Sequence, residues 1–317
     1  MTQTLKPQKK RPTSAIILII VLVMLLASSY MMGSQVVEAS TRLVTNQQTM
    51  DAYQDSWKLE GFDAEQFKSK YQIETVELTS TFDGHSLPFD LITAEGNENI
   101  VVMVHGMMGN RLTNYPTAEI FLENGYNVIT YDQRSSGENL AQRSTFGFWE
   151  KFDLIDCISY AKEHAPKADI VVWGESFGGA TAILGVAQEE VQRDISALIL
   201  DCPVSSMASM ISAELEKMDL PVPTSYLLAC GNLVNQLKLH FAYEDADCTA
   251  AAAKITVPTL IFNSKADQIT PEFMGQDIYD HLASQQKELF TSETSAHIEI
   301  RNHERDTYVE KILGFLG

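Results

Sequence analysis

Cysteine is scarce in this chain, and so is positive charge. Cys157, Cys202, Cys230 and Cys248 are the only four cysteines in 317 residues, and none forms a Cys-x-x-Cys pair. A chain this long can bury a large core without disulfide staples, so neither a disulfide framework nor a cysteine zinc site organises it. Four free, mostly buried thiols are expected. Lys and Arg number 23 against 42 Asp and Glu, a formal net charge of −19. Four of the basic residues, Lys6, Lys9, Lys10 and Arg11, precede the first acid, Glu38. Without them 19 basic residues face 42 acidic ones, a net of −23. So acidic a body repels phosphate backbones, which argues against nucleic acid as a partner. The plainer use of the charge is solubility.

Charge of either sign is absent from Ala15 to Met32. Eighteen apolar and small residues at a rise of ~1.5 Å span about 27 Å, close to the hydrocarbon thickness of a bilayer. The basic residues before the segment predict a cytoplasmic tail over 1–14, a transmembrane anchor over 15–32 and a body outside the membrane. The competing reading is a cleaved signal peptide, with an apolar core from Ala15 to Ala27 and a small-residue site at Ala27-Ser28-Ser29, which would give a secreted protein. No cysteine lies nearby to carry a lipid. Residues 33–73 are polar with scattered Leu43, Tyr53, Trp57, Phe62 and Phe67, and are expected to form a helical stalk.

Beyond the stalk, strand and helix patterns alternate. Thr75–Thr81 and Leu87–Thr93 flank the turn Asp83-Gly84 and predict two antiparallel strands. Ile100–Val104, Asn127–Tyr131, Ile170–Trp173, Ala197–Leu200, Thr259–Phe262 and Glu288–Thr291 are short apolar runs typical of strands buried on both faces. Helical periodicity marks Phe148–His164 and Asp306–Leu316. Such alternation predicts a mostly parallel sheet covered by helices over 74–317. Residues 203–254 interrupt it with Pro203, Pro221, Pro223 and the methionines 207, 210 and 218. This stretch is read either as a lid over the site or as a displaced structural helix pair.

The chemistry centres on Gly174-Glu175-Ser176-Phe177-Gly178, which follows the strand Ile170–Trp173 and opens a helix-forming run, Ala180–Glu190. Strand, sharp turn and helix make this Gly-x-Ser-x-Gly pattern a nucleophile elbow, with a strained serine backbone that holds the hydroxyl clear of the strand. The bare pentapeptide is weak on its own, since chance alone supplies it in about one chain in ten of this length. A serine hydroxyl needs a base, and the base an orienting acid. An elbow carries them in the order serine, acid, histidine. Asp267, after the strand Thr259–Phe262, and His297, after Glu288–Thr291, satisfy that order. Asp201, at the end of its own strand, is the rival acid and is read instead as ordering its loop. His85, His105, His164, His240, His281 and His303 lack the position of His297. Backbone amides of Phe177 and of Met107, in the loop His105-Gly106-Met107-Met108-Gly109-Asn110, are the expected oxyanion donors. That loop has no Gly-x-Gly-x-x-Gly and no Gly-Lys-Ser/Thr, so it does not read as a phosphate cradle.

With these residues in place the chain resembles the α/β-hydrolases of the serine hydrolase superfamily, in particular membrane-anchored bacterial members similar to serine aminopeptidases and esterase-like hydrolases. The resemblance runs from about Glu74 to the C-terminus. It rests on His105 to Gly109, Tyr131-Asp132-Gln133-Arg134, the elbow, Val257-Pro258-Thr259-Leu260 and His297. One departure is Asn263-Ser264, where the family often has His-Gly. The resemblance implies that Asp132 and Arg134 brace their loop and that no metal or cofactor is needed; the expected substrate is a small-molecule acyl ester or, from the membrane address, a lipid one. Peptidase or amidase chemistry with the same residues is the alternative. A third is a binding protein that keeps the fold without catalysis.

Overall fold

Apolar runs with β-branched residues pair readily into a sheet buried on both faces, and the central strands of one eight-stranded sheet do so here, whereas its first strand lies largely exposed at an edge. The computed structural model describes residues 13–317; the basic cluster of residues 6–11 lies outside the described residues. The strands are β1 (Gln72–Thr79), β2 (Ser86–Thr93), β3 (Asn99–Val104), β4 (Tyr126–Tyr131), β5 (Ile170–Glu175), β6 (Ala197–Asp201), β7 (Thr259–Ser264) and β8 (Lys287–Ser292). They form one sheet in the order β1-β2-β4-β3-β5-β6-β7-β8. β1 pairs antiparallel with β2 and β2 with β4; every other pairing is parallel. This is the α/β-hydrolase fold.

The helices before the sheet are α1 (Thr13–Thr41), α2 (Asn46–Glu60) and α3 (Ala64–Lys70). Those around the sheet are α4 (Tyr115–Leu122), α5 (Glu150–His164), α6 (Ser176–Val186) and α7 (Glu189–Gln192). After β6 come α8 (Met207–Lys217), α9 (Thr224–Leu239) and α10 (Cys248–Ala252), and the chain finishes with α11 (Glu272–His281), α12 (Ile300–His303) and α13 (Arg305–Leu316).

Alternate strand residues point to opposite faces, and the two cores divide accordingly. Val102, Val104, Ile170 and Val172 join the layer under α5 and α6. Val101, Met103, Val171 and Trp173 join the layer under α4 and α13. All four cysteines are buried and unpaired.

The N-terminal segments do more than connect. Within residues 33–73, Phe67 is buried and stacks on Tyr115 of α4 at 5.0 Å. Trp57 stacks on the same ring at 5.7 Å and donates its Nε1–H to the Leu112 carbonyl at 2.8 Å. The stretch is therefore packed along the body and is no free-standing stalk. Its aromatic residues are spaced too irregularly to show an amphipathic face in the sequence, and only α4 gives them a surface. Within 203–254, α10 is largely buried, with Cys248 and Ala252 fully so. That end of the insertion is core, which leaves α8 and α9 as the part that can cover anything.

α1 is 29 residues long, and among the described residues it is the one helix long and apolar enough to cross a membrane. Its first part is exposed from Ile16 to Leu26, whereas Val36, Val37 and Thr41 are buried. The buried half crosses α9 closely. A Cβ on Gly33 would overlap the Cys230 carbonyl and stand 2.7 Å from Val234 Cγ2. Only glycine allows that approach. Gly33→Val is accordingly expected to prise α1 from α9 and destabilise the protein by about 1–3 kcal/mol, the usual cost of overpacking. Thermal unfolding of the full chain checks this; an unchanged midpoint would contradict the packing.

Candidate active site

β5 runs into α6 without an intervening residue, and Ser176 occupies the junction. Its φ is 51°, in the left-handed region that costs a non-glycine residue on the order of 1–3 kcal/mol. The neighbouring glycines permit the turn. A Cβ on Gly174 would stand 2.6 Å from the Gly178 carbonyl, and one on Gly178 would overlap the Val104 carbonyl. β3, β5 and α6 can therefore converge on the serine only because neither position carries a side chain.

The structure brings Ser176, His297 and Asp267 together from three separate loops. Ser176 Oγ lies 2.8 Å from His297 Nε2, and His297 Nδ1 lies 2.7 Å from Asp267 Oδ2. Asp267 is further held by the amides of Ile269 and Thr270, which donate to Oδ1 at 2.8 and 2.9 Å. Burial on its own would raise the Asp267 pKa, but the contact with His297 and the hydrogen bonds from Thr270 outweigh it and hold the carboxyl below its ordinary value. The acid is thus an anion facing the imidazole, fitted to fix the ring with its proton on Nδ1 and leave Nε2 free to accept from the serine.

Thr270 was not legible as part of this arrangement in the sequence. Its Oγ1 lies 2.8 Å from Asp267 Oδ2 and 3.0 Å from the Cys202 carbonyl, tying the acid loop to the end of β6. An Asp followed three residues later by Thr, a spacing that lets the amides two and three residues on turn back to the carboxylate, is the signal that could have shown it.

On the other side of Ser176, the loop after β3 makes a tight turn. Gly109 N–H donates to the Gly106 carbonyl at 3.2 Å, and Met108 takes a left-handed φ of 68°. Met107 sits at the second position of that turn, whose closing hydrogen bond does not use its amide. Phe177 lies in the first turn of α6, where helix N–H groups have no internal acceptor. Both candidate donors line one small cavity of about 10 Å³, together with Leu43, Val44, His105 and Gly106. The connector between α1 and α2 therefore lines the same space as Met107 and Phe177. No motif in the sequence pointed to Leu43 or Val44. A polar cleft of about 580 Å³, between α2, α3 and α12, contains none of the three central residues.

His105 is not a second base. It is buried, Nε2 accepts from the Gln133 amide at 3.0 Å, and Nδ1 faces the Gly106 carbonyl at 2.7 Å. Burial lowers its pKa, so it is a neutral ring bracing the loop. Asp132 and Arg134 are likewise engaged away from the serine. Asp132 pairs with Arg111, and Arg134 Nε donates to Asp153 at 3.0 Å. Glu175 accepts the Gly106 amide at 3.1 Å and pairs with Arg301, four residues after His297. Arg301 also meets Glu60 of α2 at 3.4 Å. The elbow, the loop after β3 and the histidine loop are thus tied by one buried ionic link that the sequence did not signal.

Asp201 lies apart. Both its carboxylate oxygens are buried and lack a hydrogen-bond partner among the described residues. Burial, aided by Glu175 and opposed by Arg301, raises its pKa to about 6. A carboxyl raised in this way favours the folded state when protonated, and that contribution is lost as pH climbs from its ordinary value through 6. Asp201→Asn has no such charge to bury. It should gain stability relative to the parent by about 1 kcal/mol more at pH 8 than at pH 5. Thermal midpoints at the two pH values decide this, and an equal difference at both would contradict it.

Known proteins resemble this chain on both halves. Residues 99–226 match the α/β hydrolase fold family, and residues 227–304 match the serine aminopeptidase S33 family. An uncharacterized protein of Bacillus subtilis (strain 168), YqkD, is 25% identical over 79% of this chain and 82% of its own length. The thermostable monoacylglycerol lipase of Bacillus sp. (strain H-257) is 26% identical, covering 71% of this chain and 92% of the lipase. Among solved structures, the Pyrococcus furiosus esterase Pf2001 superposes with a TM-score of 0.64 at 21% identity, covering 80% of this chain and 95% of the esterase. That last likeness is one of fold.

Proposed function

We propose, for a chain that belongs to the α/β-hydrolase superfamily, that it is a serine hydrolase cleaving acyl esters through an acyl-enzyme. The observation that carries this reading is the unbroken chain of contacts from Ser176 Oγ through His297 to Asp267, set on a strained strand-to-helix turn. Ser176 Oγ attacks the acyl carbon while His297 Nε2 takes its proton. The oxygen that becomes negative is held by the amides of Met107 and Phe177. Collapse expels the alcohol, which receives the proton from His297, and leaves the acyl group on Ser176. Water activated by the same histidine then releases the acid. Asp267 stabilises the imidazolium during both halves. The likeness to a monoacylglycerol lipase supports an ester substrate, α1 supports a membrane-held protein, and the basic residues ahead of it support a body outside.

A second reading, hydrolysis of aminoacyl amides, is favoured by the serine aminopeptidase match over residues 227–304. The two are separated by turnover of p-nitrophenyl acyl esters beside amino-acid p-nitroanilides. Ester turnover exceeding anilide turnover by at least a hundredfold in kcat/KM is expected. Preference for the anilides would overturn the ester assignment.

A further inference from the structure

The exposed part of α1 is not the only apolar surface at that end of the molecule. α9 presents one stripe outward: Tyr226, Leu233 and Leu237, at spacings of seven and four, share a face and are 41–61% exposed. The adjoining face, with Leu227, Cys230 and Val234, is buried. The loop before α9 adds Met218 and Leu220, also exposed. Between that loop and α1 runs an apolar groove of about 310 Å³, lined by Met32, Val36, Leu215 and Leu227 among others. An apolar stripe of this extent on a chain of net charge −19 calls for an occupant.

Two observations say which. The first is continuity with α1. Ser29 Oγ and Tyr226 Oη are 2.6 Å apart, and Lys238 reaches Ser34 Oγ at 3.3 Å while lying 5.5 Å from the centre of the Tyr30 ring. Tyr30, Tyr226 and Lys238 therefore gather where the uncharged run of α1 ends, and tyrosine with lysine is the side-chain pairing of a membrane–water boundary. The second is charge. α9 carries no acidic residue in its 16 positions, and Lys238 is its one charged group. In a body this acidic, that gap suits a lipid surface and removes the repulsion that would keep α9 off one.

We infer that the outer face of α9 and the Met218–Leu220 loop lie in the bilayer interface beside α1, in contact with lipid acyl chains. α1 and α9 then form one membrane-facing unit in which the second helix lies on the surface that the first one enters. The position bears on the site. The chain leaving β6 toward α8 and α9 passes Ser176, where the Val204 amide donates to the Ser176 carbonyl at 3.2 Å. A lipid-seated α9 places this segment at the source of membrane-borne acyl substrates. The inference rests on the reading of α1 as a membrane-spanning helix, and it is independent of catalysis.

The test uses the full-length chain in phosphatidylcholine vesicles containing phosphatidylcholine with a diazirine on one acyl chain. Photolysis is followed by peptide mapping of the adducts. Label is expected in residues 218–237 as well as in 15–32. Peptides with Leu59 and Leu140, which are 89% and 78% exposed, are expected to stay unlabelled and report non-specific capture. The double variant Leu233→Glu, Leu237→Glu alters only exposed side chains and should lose at least tenfold of the 218–237 label while keeping that in 15–32. Label confined to 15–32 in the parent protein overturns the inference and leaves the anchor standing. Absence of label from 15–32 removes the anchor reading and the inference with it. Cross-links joining α9 of two copies, in place of lipid adducts, would assign the face to a dimer and also overturn it.

Discussion

Ser176→Ala lowers kcat for an acyl ester by on the order of 10⁶ if serine, histidine and acid act as one unit. The substitution removes a single oxygen atom. It leaves the backbone of the elbow, the amides of Met107 and Phe177 and the His297–Asp267 contact in place. Without Oγ no acyl-enzyme can form, and His297 can only assist water in a direct attack. The residue of activity should then be what positioning and oxyanion binding supply without a nucleophile, on the order of 10³ to 10⁴ over the uncatalysed rate. Because Ser176 is buried and its hydroxyl faces His297, the variant should unfold within a few degrees of the parent. Steady-state kinetics with p-nitrophenyl butyrate, beside a thermal scan, reads both. Activity within tenfold of the parent would remove Ser176 from the mechanism.

Asp267→Ala is expected to lower kcat by on the order of 10⁴, less than loss of the serine because the nucleophile and the base both remain. What goes is the anion at 2.7 Å from Nδ1, which sets the tautomer and offsets the charge that develops on the imidazole. KM should change little, since Asp267 is buried behind His297 and out of reach of the substrate. Asp201→Asn provides the internal comparison. It too removes a buried carboxylate, here at the end of β6, yet it should leave kcat within a few-fold, because Asp201 makes no hydrogen bond to the histidine. A larger loss from Asp201→Asn than from Asp267→Ala would exchange their roles.

Much of this architecture could be read from local pattern, because the residues concerned obey local rules. Six strands, β3 to β8, coincide with short apolar runs and pair with one another in parallel, while β1 and β2 overlap the two runs that flank Asp83-Gly84 and pair antiparallel. The place of Ser176 at a strand-to-helix turn was legible in the sequence, as were the places of Asp267 and His297 in loops after later strands. Asn263-Ser264, which departs from the family pattern, does not displace the acid. Asn263 Nδ2 bonds the Glu272 carbonyl at 2.8 Å and Ser264 bonds the Ser295 carbonyl, so the two residues clamp the acid loop to α11 and the histidine loop.

What escaped the sequence depends on partners distant in the chain. Glu60 and Arg301 are 241 positions apart, and nothing about either residue announces the other. Leu43 and Val44 look like ordinary apolar residues in a polar stretch, and their place beside Met107 and Phe177 exists only once α1 has docked on α9. From the sequence the N-terminal region reads as a membrane segment followed by a helical stalk. In the folded chain it supplies part of the lining beside Met107 and Phe177, an ionic contact behind the elbow and half of a tight helix crossing.

The central claim is that Ser176 is a nucleophile activated by His297. Incubation of the full-length protein with a fluorophosphonate, followed by intact mass and peptide mapping, tests it most directly. One adduct per chain is expected, located on Ser176, absent in Ser176→Ala and formed at least a hundredfold more slowly in His297→Ala. An adduct on any other residue, or no adduct in the folded parent protein, would contradict it.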